Sequence, residues 1–126
     1  MKQPVHPESA PKPLGPYTPG LLVGNLVFVA GQGPLDPKTG ATVGDTITEQ
    51  TRQVLTNIRS ILEAAGASMD EVVKSTVHLA NLEDFAAFNA VYREFFSEPY
   101  PVRTTVGSAL LDDILVEIDV IAVKKA

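Results

Sequence analysis

Two apolar, β-branched runs, Leu21-Leu22-Val23 and Leu26-Val27-Phe28-Val29-Ala30, lie either side of Gly24-Asn25. Short runs of this kind around a two-residue turn containing Gly predict a β-hairpin. Gly31-Gln32-Gly33-Pro34 and Asp36-Pro37-Lys38-Thr39-Gly40 then read as turn and loop, because Pro fixes φ and Gly accepts positive φ. Beyond them the period changes. Val54, Leu55, Ile58, Ile61, Leu62 and Ala65 recur at helical spacing and make one apolar stripe. Thr46 and Glu49 have the spacing of a capping box, with Asp45 just before them, and Gly66 supplies a stop. Val73, Ser75, Val77 and Leu79 alternate with Lys74, Thr76 and His78, which predicts a strand. A second helix follows Asn81, its predicted cap, with Phe85, Phe88, Tyr92, Phe95 and Phe96 on the buried face. Pro99 and Pro101 end it. Val102 to Val106 reads as a short strand, Ser108 to Asp113 as a loop, and Ile114 to Val123 as a last strand.

The predicted order is therefore β-β-α-β-α-β-β, an α+β fold in one domain over residues 1–126. The Pro-rich stretch Met1 to Pro13 is expected to be a loose arm. Two helices can cover one face of such a sheet. The last strand is apolar on its other face too, apart from Glu117 and Asp119, and that face needs a cover. In a chain this short a second copy of itself is the expected cover, which predicts a homo-oligomer.

Composition removes several kinds of chemistry. The 126 residues include no Cys, which leaves no thiolate nucleophile, disulfide or Cys-based zinc site. His6 and His78 are the two histidines, one in the arm and one in a strand, too few for a usual zinc ligand set. No metal and no cofactor are expected. Gly31-Gln32-Gly33 is followed by Pro34, Leu35 and Asp36, so it opens no dinucleotide-binding helix. The formal net charge of −5 is a poor match for a nucleic-acid backbone. The opening residues show no apolar signal segment, and no apolar run approaches a membrane span, so a cytoplasmic protein is expected.

The remaining candidates are individual polar residues in apolar settings. Arg103 sits in a β-branched strand, where it is either an edge-strand surface charge or a planar fork for a carboxylate. Thr105 shares its strand face. Glu117 lies in Leu115-Val116-Glu117-Ile118, where a carboxylate is either solvated or acts as a base or water-orienting acceptor; Asp119 shares that face. Tyr17, in Gly15-Pro16-Tyr17-Thr18, either packs or walls a pocket with a hydroxyl to offer. Asn89 falls at the edge of the second helix's apolar stripe.

Together these segments resemble the reactive-intermediate deaminase (RidA/YjgF) family from Gly15 to Val123. Gly15-Pro16-Tyr17 resembles its opening motif, and Gly24 to Gln32 with Pro34-Leu35-Asp36 its hairpin and following loop. Glu49 to Leu55 resembles its first helix, and Asp84-Phe85 with Asn89 and Tyr92 its second. Pro101-Val102-Arg103-Thr104 and Val116-Glu117-Ile118 resemble its closing strands. The resemblance implies a chorismate-mutase-like fold forming a homotrimer with clefts between subunits. It implies hydrolysis of 2-imino acids, such as 2-iminobutyrate and 2-iminopropanoate, to 2-oxo acids and ammonia. Arg103 would bind the substrate carboxylate and Glu117 would position the attacking water, while Tyr17, Gly31, Asn89 and Thr105 would line the cleft. Many members have Ser at the position of Ala30 and Cys at that of Thr105. Ala30 offers no side-chain hydrogen bond, so here the amine end of a substrate is held differently. A deaminase tied to one catabolic pathway and a non-enzymatic, RNA-related or chaperone role are the competing readings.

Overall fold

The computed structural model describes residues 1–125, and its strands and helices form one six-stranded sheet with two helices against it. The hairpin forms as the sequence predicts: β2 (Gly20–Val23) pairs with β3 (Leu26–Gln32), Val23 opposite Leu26. Gly24 adopts φ +60°, the first-position positive φ of a type II′ turn. α1 (Ile47–Ala64) follows, and its N-terminus carries the expected capping box. Glu49 N–H donates to Thr46 Oγ1 at 3.2 Å, and Thr46 N–H donates to Glu49 Oε1 at 3.2 Å. Asp45 N–H, the Thr46 hydroxyl and Thr46 N–H, all donating to Glu49 Oε1, hold the exposed Glu49 carboxyl below its ordinary pKa. Gly66, at φ +84°, turns the chain out of the helix. β4 (Val72–Leu79), α2 (Phe85–Phe95), β5 (Val102–Gly107) and β6 (Val116–Val123) complete the fold.

The strand order is β1-β2-β3-β6-β4-β5. β3 and β4 are both antiparallel to the central β6, and β5 runs parallel to β4 along the edge. The sheet is mixed, and each helix is the crossover that returns the chain to the same sheet face. On that face Val27, Val29, Val77, Leu79, Val116, Ile118, Val120 and Ala122 meet Val54, Leu55, Ile58, Ile61 and Leu62 of α1 and Phe88 of α2. Among the described residues no layer covers the opposite face: Leu26, Phe28 and Val123 there are each 37% exposed, with Thr76, His78, Glu117, Asp119 and Ile121 half-buried.

Four expectations need correction. The arm is not loose throughout. Lys2–Val5 forms β1, paired antiparallel with β2, because the hairpin's outer edge offers free backbone groups and Val5 packs beside Gly20. The strand expected from Val73 carries Val72 on the core face instead, for a register shift between Val72 and Lys74 turns Val73 outward. Asn81 makes no side-chain cap; a 3₁₀ turn over Leu82–Asp84 intervenes before α2. Phe85, expected in the core, is 43% exposed. No helix among the described residues is long and apolar enough to cross a membrane.

Candidate active site

Arg103 lies on the edge strand β5, opposite Ser75 of β4, so its side chain rises on the helix-bearing face. There α2 presents a bed of rings. The guanidinium carbon stands 4.8 Å from the centroid of Tyr92, 5.4 Å from Phe88 and 5.6 Å from Phe85. Such contacts contribute about 0.5–2 kcal/mol each and fix the plane of the group. Beneath it the hydroxyls of Ser75 and Tyr92 share a 2.7 Å hydrogen bond, with both residues buried. Burial pushes the Tyr92 phenol up in pKa, against the opposing pull of the Ser75 hydrogen bond and the Arg103 charge. The phenol therefore stays protonated at neutral pH. The ion pair found among the described residues joins Arg52 to Glu94, and Arg103 has no carboxylate of its own. A guanidinium restrained by rings and the Tyr92 hydroxyl, with no carboxylate partner among the described residues, has the planar fork that suits an anion.

A cavity of about 260 Å³ opens at this point, lined by Asn89, Tyr92, Arg93, Tyr100, Pro101 and Arg103. Asn89 and Arg103, singled out from the sequence, thus meet in one cavity. Thr105 lies two residues on, beside Val77, on the same sheet face but outside the cavity lining.

The other candidates gather elsewhere. Glu117 pairs across β6–β4 with His78, on the open face. It leans the other way, over β3. A Cβ added to Gly31 would stand 2.6 Å from Glu117 Oε2, so the carboxylate fills the space that any side chain at position 31 would need. A bulge between Val29 and Gln32 brings Gly31 into this position. Tyr17 belongs to the loop that joins this region, where Ala30 N–H donates to Pro19 O at 2.9 Å. Tyr17 is 47% exposed, and its Oη accepts from Leu14 N–H at 3.2 Å.

Within one chain the candidates therefore form two groups. Arg103, Asn89 and Thr105 lie on the helix face at the β5 edge, and Tyr17, Gly31 and Glu117 lie at β3 and β6, with Glu117 on the opposite face. β5 and β6 are two strand spacings apart, about 10 Å, and the sheet itself separates Arg103 from Glu117. Sequence reasoning missed Arg93, Tyr100 and the Ser75–Tyr92 pair. Arg93 had a usable signal: it stands one helical turn after Asn89 and so shares its face. His78, read as an isolated strand histidine, has Nδ1 hydrogen-bonded to Ser108 Oγ at 2.7 Å. The described residues contain no cluster of His, Asp and Glu able to hold a metal ion.

A mixed sheet backed by two helices thus carries a ring-bedded guanidinium at a small cavity. Residues 7–124 match the family described as Endoribonuclease L-PSP, and the chain belongs to this family, the RidA/YjgF proteins. It is 52% identical to a RutC family protein of Pyrococcus horikoshii, covering 99% of this chain and 100% of that one. It is 43% identical to the 2-iminobutanoate/2-iminopropanoate deaminase of Salmonella typhimurium, over 99% of this chain and 100% of the relative. The crystal structure of E. coli TdcF with bound serine superposes with a TM-score of 0.92 at 38% identity, covering 98% of this chain and 100% of that one.

Proposed function

We propose that the protein hydrolyses small 2-imino acids, of the 2-iminobutyrate and 2-iminopropanoate type, to 2-oxo acids and ammonia. The observation that carries this reading is Arg103: a guanidinium restrained by aromatic rings at a cavity, with no protein carboxylate paired to it among the described residues. The relatives' deaminase activity and the serine bound in TdcF fit a ligand of that chemistry. In this reading Arg103 grips the substrate carboxylate with two hydrogen bonds. Glu117 orients a water and takes its proton as the oxygen attacks the imine carbon. With the imine protonated the product is a neutral carbinolamine; Glu117 returns its proton to the amine nitrogen, ammonia leaves as the carbonyl forms, and the hydroxyl proton passes to the freed carboxylate, leaving the 2-oxo acid. Tyr17, Gly31, Asn89 and Thr105 wall the cleft. An imine carbon is already electrophilic, so holding the carboxylate and one water in place supplies most of what the reaction needs.

The two groups of residues can serve one reaction only if neighbouring chains bring them together. We infer a homotrimer in which the helix-face group of one chain meets the open-face group of the next. The half-exposed Leu26, Phe28 and Val123 give that contact its apolar surface. The net charge of −5 supports a small anion held at one local cation over a ribonuclease role, which needs a broad basic surface.

The test is to generate 2-iminobutyrate in situ with an amino-acid oxidase and follow 2-oxobutyrate release. The protein should accelerate release over the uncatalysed rate and sediment at the mass of a trimer. An unchanged release rate would refute the activity, and a monomer mass at micromolar concentration would refute the shared site.

A further inference from the structure

Arg93 is the charged group in the cavity lining that this reaction leaves unused. It follows Asn89 by four residues on α2, so the two side chains leave the same helix face. Both line the cavity with Arg103. None of the lining residues is acidic; the ionisable groups there are the guanidiniums of Arg93 and Arg103 and the phenols of Tyr92 and Tyr100. The ion pair Arg52–Glu94 involves neither arginine. This paired positive charge stands in a chain of net charge −5. In the shared site the neighbour's Glu117 works at the imine carbon and one substrate carboxylate balances Arg103, while no acidic residue of this chain lines the cavity beside Arg93. The cavity of about 260 Å³ has room for about eight waters, more than an imino acid with a methyl or ethyl side chain displaces.

We infer that Arg93 is a specificity residue for a second carboxylate, and that the site favours dicarboxylic 2-imino acids and their 2-oxo products. The inference rests on the reading of Arg103 as the grip on the α-carboxylate. With that end fixed on the ring bed, the substrate's far end points along α2 to Arg93. Arg93 is exposed and its side chain is long, so it can reach substrate side chains of different length. Its exposure also means screening: the preference is strongest at low salt and shrinks as salt rises.

Calorimetric titration of the whole protein at low ionic strength tests this, with 2-oxoglutarate and 2-oxobutyrate as probes. The wild type should bind 2-oxoglutarate up to about fivefold more tightly, a difference of roughly 1 kcal/mol. Arg93→Gln should bring the ratio of the two dissociation constants near one, and Arg93→Glu should invert it. Added potassium chloride should erode the wild-type ratio. A wild type without preference, or an unchanged ratio in both variants, overturns the inference and leaves Arg93 as a cation at a helix end. The outcome is separable from that of the deaminase reading, since binding needs no turnover. A protein that hydrolyses 2-iminobutyrate but keeps its binding ratio in Arg93→Gln sinks this inference alone. One that binds dicarboxylates through Arg93 yet hydrolyses no imine sinks the deaminase reading alone.

Discussion

Arg103→Ala is expected to lower kcat/KM for 2-iminobutyrate by about 30- to several thousand-fold. That range corresponds to the 2–5 kcal/mol lost when one partner of a desolvated, hydrogen-bonded charge pair is truncated. The guanidinium has no protein carboxylate to share it, so its removal falls on the substrate rather than on an internal ion pair. It sits half-buried on the edge strand and outside the main core, so the variant should keep its far-UV circular dichroism. Arg103→Lys separates charge from geometry. An ammonium keeps the charge but presents no planar fork and stacks less well on Phe85, Phe88 and Tyr92. It should recover less than a tenth of the loss. Near-wild-type kcat/KM in Arg103→Ala would remove the grip from the mechanism. The steady-state rate of oxo-acid formation is the measurement for both variants.

Glu117→Gln should act on the other parameter. It keeps the size of the side chain over Gly31 and removes the proton acceptor, so kcat should fall by about 10²–10⁴ with KM little changed. The position of the two groups on opposite sheet faces makes a sharper experiment available. Each variant alone is expected to be nearly inactive. Unfolded together in equal amounts and refolded into mixed trimers, they should regain about a quarter of wild-type activity, because random assembly gives that share of sites an intact Arg103 from one chain and an intact Glu117 from the next. No recovery in mixtures shown by mass spectrometry to be hetero-oligomeric would mean that the two residues do not share a site across subunits.

The sequence made some levels of this molecule legible and not others. Local signals were sound wherever one interaction decides the outcome. The Gly24 turn, the Thr46–Glu49 box and the Gly66 stop each depend on residues within a few positions of one another. The stripe from Val54 to Leu62 was equally clear, since burial imposes the helical period directly. Failures came where distant backbone intervenes. β1 exists because the hairpin has an unpaired edge, which no pattern within Lys2–Val5 announces. Val73 faces outward because of a bulge, and a bulge inverts the alternation on one side of itself. The site shows the same division. Arg103 and Asn89 could be named from their apolar surroundings, and the aromatic residues of α2 were visible as a stripe. That three of those rings would form a bed for Arg103, with Ser75 pinning Tyr92 from below, depends on the β4–β5 pairing and the docking of α2. That Glu117 would face away from Arg103 follows from the registers of β4 with β5 and β6, which alternation within one strand cannot give.

The close fit of Glu117 over Gly31 has a consequence for how this site can change over time. The carboxylate lies against bare backbone of β3, so a side chain at position 31 must push it from this place, and a relative with Ala at position 31 is expected to carry a shorter residue at 117 or to hold its carboxylate elsewhere. The two positions should therefore vary together although they are far apart in the chain. An alignment in which they vary independently would show that the carboxylate has more than one resting place.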